Sequence, residues 1–198
     1  MPRPRNEKLP QMLLDAAREL LVKHGTPTFS LRELSQHVGY TLTAVYRCFD
    51  NRAALLRALQ LELFEELNAH TRPSMSLPPQ DAIRSSGRMF VQWAIDHRAE
   101  YLFMFSSYDD AALLSDDDAA IAQGNMHLLA QYLEFHKNQG TLHVDDPAAA
   151  AVVLITNLHG VVSLSLTGRL NRTPGENLLE FFDAHLEPQL SHIFRSTK

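Results

Sequence analysis

The sequence predicts an all-α protein, and three observations predict it. Apolar residues recur at helical spacing nearly throughout the chain. The alternation of a half-buried strand is almost absent. Between Phe29 and Leu56, helix starts and tight turns crowd together, whereas the remainder reads as long helices. The expected architecture is an N-terminal three-helix helix-turn-helix domain (1–50) followed by a C-terminal helical bundle (51–198). The fourth helix, about 51–71, connects the two.

The first helix is expected from about Asn6 to His24, with Leu13, Ala17, Leu20 and Leu21 as its buried stripe. In the stretch "FSLRE", Ser30 and Glu33 fit a capping box. Phe29 before the cap and Leu34 after it fit a hydrophobic staple. Helix 2 is expected over Leu31–His37. Gly39 permits the positive φ that turns the chain sharply. Thr41 then caps a third helix over about Leu42–Phe49, and Asp50 caps the fourth. Short helix, glycine turn, short helix at this spacing is a helix-turn-helix. With Val45 and Phe49 turned inward, Leu42, Thr43, Tyr46 and Arg47 lie on the outer face of helix 3, a set that suits the floor of a major groove.

Charge supports that reading. Residues 1–57 hold nine Lys/Arg against five Asp/Glu, and residues 58–198 hold nine against 18. The basic part can face a polyanion while the acidic part cannot. The single cysteine, Cys48, allows no internal disulfide, and the N-terminal segment lacks a signal peptide's apolar core. These features point to the cytoplasm. No apolar run is expected to approach the roughly 20 residues of a membrane span.

The segment "FSLRELSQHVGYTLTAVYRCFDNRAALLRAL" resembles the DNA-binding segment of the TetR family of transcriptional regulators. Gly39, Thr41, Tyr46, Phe49 and Arg52 occupy the pattern's glycine turn, cap, aromatic positions and basic opening of helix 4, and the likeness runs from "MLLDAARELLVKHG" to about Leu59. The resemblance implies phosphate contacts for Tyr46 and Arg52, with Thr28 and Ser30 near the backbone. Arg3 and Arg5, ahead of helix 1, would reach a phosphate or a minor groove. The start of the recognition helix, Leu42-Thr43-Ala44, departs from the family's habit of polar residues there. Leu42 can meet a thymine methyl and Arg47 can pair with guanine, so DNA shape would carry part of the readout.

Further along, residues 148–170 together with "HRAEYLFMFSS" and "DDPAAAA" resemble the WHG type of C-terminal domain within that family. His159-Gly160 is present, but Leu158 stands in place of the tryptophan. The last two helices carry wide apolar faces: Val152, Ile155, Val162 and Leu166 on one, and Leu178, Phe182 and Leu186 on the other. Two such faces can pair with a symmetry mate as a four-helix bundle, and a homodimer reads two half-sites. Phe90, Trp93, Phe103, Met104 and His127 in the middle helices are candidates to line an apolar cavity, with Asn157 and His159 to orient a ligand.

Enzyme chemistry finds no support in the sequence. No glutamate has a histidine three residues later, and no two of the ten histidines are three or four apart. There is no Gly-rich phosphate loop and no nucleophile elbow, so no catalytic residue, metal or cofactor is expected. The expectation is a homodimeric repressor that binds a palindromic double-stranded operator and is released by a small apolar or amphipathic effector. The alternatives are a DNA-binding regulator without a small ligand, and a helical scaffold or enzyme whose N-terminal domain no longer binds DNA.

Overall fold

The computed structural model describes residues 8–73, 76–105, 116–170 and 177–194. Among them are ten helices and no strand: α1 (Leu9–His24), α2 (Leu31–His37), α3 (Leu42–Tyr46), α4 (Arg52–His70), α5 (Pro79–Asp96), α6 (Arg98–Met104), α7 (Asp116–Ala122), α8 (Gly124–Asn138), α9 (Pro147–Leu166) and α10 (Leu178–Ile193). Contacts divide the chain into two compact units. One holds the residues up to Leu63 together with those from Ala99, and the other holds Phe64–Arg98 and the residues from Asp116 on. The division falls within α4, the helix expected to connect the two parts, and α6 groups with the N-terminal helices.

In the first unit, local signals fix the helix starts. The Ser30 hydroxyl accepts the Glu33 N–H at 3.1 Å. The Glu33 carboxylate does not close the second half of the box but lies 3.5 Å from His24 Nε2, tying α2 to the end of α1. Phe29 and Leu34 are both fully buried, as a staple requires. Gly39 adopts φ +70°, the left-handed conformation that costs a side chain most. Thr41 Oγ1 accepts the Ala44 N–H at 3.3 Å and starts α3. This helix stops at Tyr46, shorter than expected, because Arg47 and Cys48 already turn. The cap of α4 is Asn51 rather than Asp50: its Oδ1 accepts the Ala54 N–H at 2.8 Å. Lower down, Arg18 Nε meets the buried Glu100 carboxylate at 3.3 Å, and Gln60 Nε2 donates to the Met104 carbonyl at 2.7 Å. These two contacts explain why α6 belongs with the N-terminal helices.

The second unit is a bundle in which α8 packs on α9, and α10 on both α5 and α9. The long helix expected to run from Asp118 almost to Gly140 is broken at Gln123 into α7 and α8. The break has a packing cause. A Cβ on Gly124 would lie 2.2 Å from Asn68 Nδ2, and this amide donates to the Ile121 carbonyl at 2.9 Å. The α4 amide thus occupies the joint. At α9, Asp146 Oδ1 accepts the Ala149 N–H at 3.0 Å and Pro147 takes the first turn. The most apolar 18-residue stretch of this helix has a mean hydropathy of 1.8, so a run long and apolar enough to cross a membrane does exist, contrary to the expectation from sequence. Ala151, Leu154, Leu158 and Val162 are its buried stripe, although only 28% of its most apolar stretch is buried.

Candidate nucleic-acid interface and bundle cleft

Val45 is completely buried and pins α3. A helix anchored on one side presents the other. Leu42, Thr43, Tyr46 and Arg47 are all exposed, Tyr46 by 51% and Leu42 by 36%. Large apolar and aromatic side chains left in solvent on so short a helix call for a partner surface. Thr28, Ser30 and Thr41 are exposed beside them, though the hydroxyls of Ser30 and Thr41 already serve as caps.

Arg52 holds a second job that the sequence did not show. Its Nε donates to the Phe29 carbonyl at 2.9 Å, and the guanidinium sits 5.9 Å from the Phe29 ring centroid. It is half-buried and latches the start of α4 to the loop before α2. The two terminal nitrogens have no hydrogen-bond partner among the described residues. Arg3 and Arg5 lie outside the described residues.

Within the second unit a cleft of about 290 Å³, counted out to its open mouth, is lined by Thr71, Pro73, Ser86, Phe90, Asn125, Leu128, Leu129, Ile155 and Leu158. Its enclosed part has room for little more than a water molecule. Of the residues expected to line a cavity, Phe90 lines this cleft. Trp93 is core, with Nε1 donating to Glu66 Oε1 at 3.0 Å and its ring stacked on His97. Phe103 and Met104 are buried in the first unit, whereas the cleft lies within the second. His127 is exposed, and Asn157 is exposed with Nδ2 donating to the Val153 carbonyl at 2.9 Å. The dense aromatics and methionines thus serve packing, and the polar helix residues serve solvent and backbone.

His159 is half-buried, one residue beyond the cleft-lining Leu158. Burial lowers its pKa below the ordinary 6.5 because desolvation penalises the imidazolium. A base with a depressed folded pKa leaves stability intact above 6.5. As pH falls through 6.5, the unfolded chain takes up a proton that the folded chain refuses, and stability is lost. The variant His159→Gln is expected to flatten the acid side of a stability-versus-pH curve measured by urea unfolding. An unchanged acid limb would contradict this.

The faces assigned to a second copy also need correction. Val162, Leu178, Phe182 and Leu186 are buried inside the unit and have no free surface to offer. Ile155 lines the cleft and Leu166 is half-buried. Val152 is exposed as expected, and Val153, Thr156, Asn157 and Leu164 join it on the bare side of α9.

Residues 83–188, which include the His159-Gly160 pair, match the family model described as "Tetracyclin repressor-like, C-terminal domain". Residues 13–59, from within α1 into α4, match the model described as "Bacterial regulatory proteins, tetR family". The chain belongs to the TetR family. A TetR-family chain of this kind is a DNA-binding transcriptional regulator. It is 24% identical over 189 residues to the HTH-type transcriptional regulator YvkB of Bacillus subtilis (strain 168), covering 90% of this chain and 93% of that protein. Its fold is similar to that of a protein of unknown function from Rhodococcus sp. RHA1, with a TM-score of 0.81 at 22% identity, over 98% of this chain and 100% of the other. A tetR-family bacterial regulatory protein from Rhodococcus RHA1 also matches, with a TM-score of 0.68 at 20% identity, over 97% of this chain and 100% of the other.

Proposed function

We propose that this TetR-family regulator is a cytoplasmic repressor that binds a palindromic operator as a homodimer and leaves it when a small effector enters the C-terminal bundle. The observation that carries the DNA half is the exposed Leu42, Thr43, Tyr46 and Arg47 face above a buried Val45. Tyr46 donates its phenol to a phosphate, and the spare nitrogens of Arg52 do the same beside Thr28 and Ser30. Arg47 reads a guanine edge and Leu42 packs on a thymine methyl. With few donors facing the bases, the fit to DNA shape supplies the remaining selectivity. Affinity falls steeply with salt, because phosphate contacts dominate.

The bare side of α9 supports the dimer. Val152, Val153 and Leu164 are large apolar groups exposed on a helix whose most apolar stretch has a mean hydropathy of 1.8. The double variant Val153→Asp/Leu164→Asp is expected to sediment as a monomer and to lose about hundredfold or more in affinity for a two-half-site duplex. A variant that stays dimeric, or a wild type that binds as a monomer, would contradict the dimer.

Release would act through the cleft, which abuts Thr71 at the end of α4. The same helix begins at Arg52, beside the DNA-facing loop. An effector shifts the DNA equilibrium only if it binds the two states unequally. A narrow cleft that must open to admit a ligand meets that condition. The same narrowness supports a second reading, a regulator switched by a protein partner without a small ligand.

A further inference from the structure

We infer that the joint between α7 and α8 is a two-state element that links the bundle cleft to α4, with Asn68 as the positioning residue that holds it broken. This rests on the effector reading above and names the part that moves.

Residues 118–139 carry helical periodicity, hold no proline and contain a single glycine, Gly124. The helix nevertheless breaks at Gln123. In an unbroken helix the Ile121 carbonyl accepts the N–H four residues on, that of Asn125. Here the carbonyl takes the side chain of Asn68, whose Nδ2 donates to it at 2.9 Å. A carbonyl partner fixes which end of the amide faces the joint. Gly124 does not need its backbone freedom, since its φ is not positive. What it supplies is room, because a Cβ there would lie 2.8 Å from Asn68 Cγ. The other end of the amide is unmatched: Asn68 Oδ1 is buried without a partner among the described residues. A buried acceptor left unsatisfied weakens the advantage of the broken joint over an unbroken helix. Local sequence thus favours one helix, and a single side chain from α4 favours two.

The joint and the cleft share a residue. Asn125 stands in the first turn of α8 and lines the cleft. Its Oδ1 lies 2.7 Å from the hydroxyl of Thr71, a second lining residue. Thr71 directly follows α4, and Asn68 lies in the last turn of that helix. The end of α4 is therefore tied to both sides of the joint, to Ile121 before the break and to Asn125 after it. The enclosed part of the cleft has room for little more than a water molecule, so an entering effector displaces lining side chains. Displacing Asn125 shifts the first turn of α8 against α7. Closing the helix across Gln123 then expels the Asn68 amide and frees the last turn of α4. The broken joint is the operator-binding state, and α4 carries the change toward Arg52 at its other end.

The test compares the full chain with Gly124→Ala, Asn68→Ala and the double variant. The readouts are hydrogen exchange of the amides of residues 124–126 and titration of an operator duplex selected from a random pool. One substitution crowds the Asn68 amide out and the other removes it, and alanine at 124 also favours helix. Each should slow exchange at the joint about tenfold and weaken operator binding about tenfold. The double variant should bind no more weakly than either single one, because both reach the same state. If Gly124→Ala fails to fold by circular dichroism, Asn68→Ala, which only removes atoms, carries the test. A residue that merely braces the bundle would give the opposite signs, faster exchange in each variant and losses that add in the double. Either of those results would overturn the inference. Slowed exchange with unchanged operator affinity would overturn the link to α4. A wild type that binds no duplex would sink the regulator reading and the link with it, whereas slowed exchange in the variants would still uphold the two-state joint.

Discussion

Phe29→Ala is expected to destabilise the N-terminal unit by about 3–5 kcal/mol, the usual cost of emptying a buried phenylalanine site. Phe29 is only 1% exposed and staples the start of α2 to Leu34, itself inaccessible to solvent. Its ring also underlies the Arg52 guanidinium. Truncation leaves a cavity beneath α2 and takes away the surface on which Arg52 rests. The latch from Arg52 to the Phe29 carbonyl is a backbone contact and remains chemically possible. The measurement is urea unfolding followed by helical circular dichroism. A loss below about 1 kcal/mol would show that the loop before α2 can collapse onto the gap, and that the unit does not depend on this staple.

The second large effect is on DNA. Tyr46→Ala and Arg47→Ala should each cost about 1–3 kcal/mol of operator affinity. Both side chains are exposed, so folding stability should change by no more than about 0.5 kcal/mol. The two variants should differ in kind. Loss of a phosphate contact at Tyr46 weakens binding to every sequence alike. Loss of a guanine contact at Arg47 relaxes the preference at one base pair. Titration of each variant against the operator and against single-base variants of it separates the two roles. Equal weakening on all sequences for Arg47→Ala would reassign it to the backbone.

The helix-turn-helix was legible because its determinants are local. Ser30, Gly39 and Thr41 act on residues within three or four positions, so spacing alone places α2 and the start of α3. The cap of α4 slipped by one residue because Asp50 and Asn51 have the same capping chemistry. Only the Ala54 N–H chooses between them. The break at Gln123 was not legible, since it depends on an amide from α4, 53 residues earlier than Ile121, reaching into the joint. The cleft was hidden for the same reason. Its polar side comes from the end of α4, from α5 and from α8, and no pattern within one helix announces it. Aromatic density pointed instead to Trp93, Phe103 and Met104, which the fold spends on packing. The family resemblance supplied phosphate roles for Tyr46 and Arg52. It gave no hint of the Arg52 latch, which depends on where the Phe29 carbonyl points.

The central claim is that the outer face of α3 reads DNA sequence. Selection of bound duplexes from a random pool by the purified chain, at low salt and without added ligand, tests it most directly. The account predicts an enriched inverted repeat that Tyr46→Ala and Arg47→Ala fail to enrich. A folded protein that enriches no sequence, or one whose enriched sequence survives both substitutions unchanged, would contradict it.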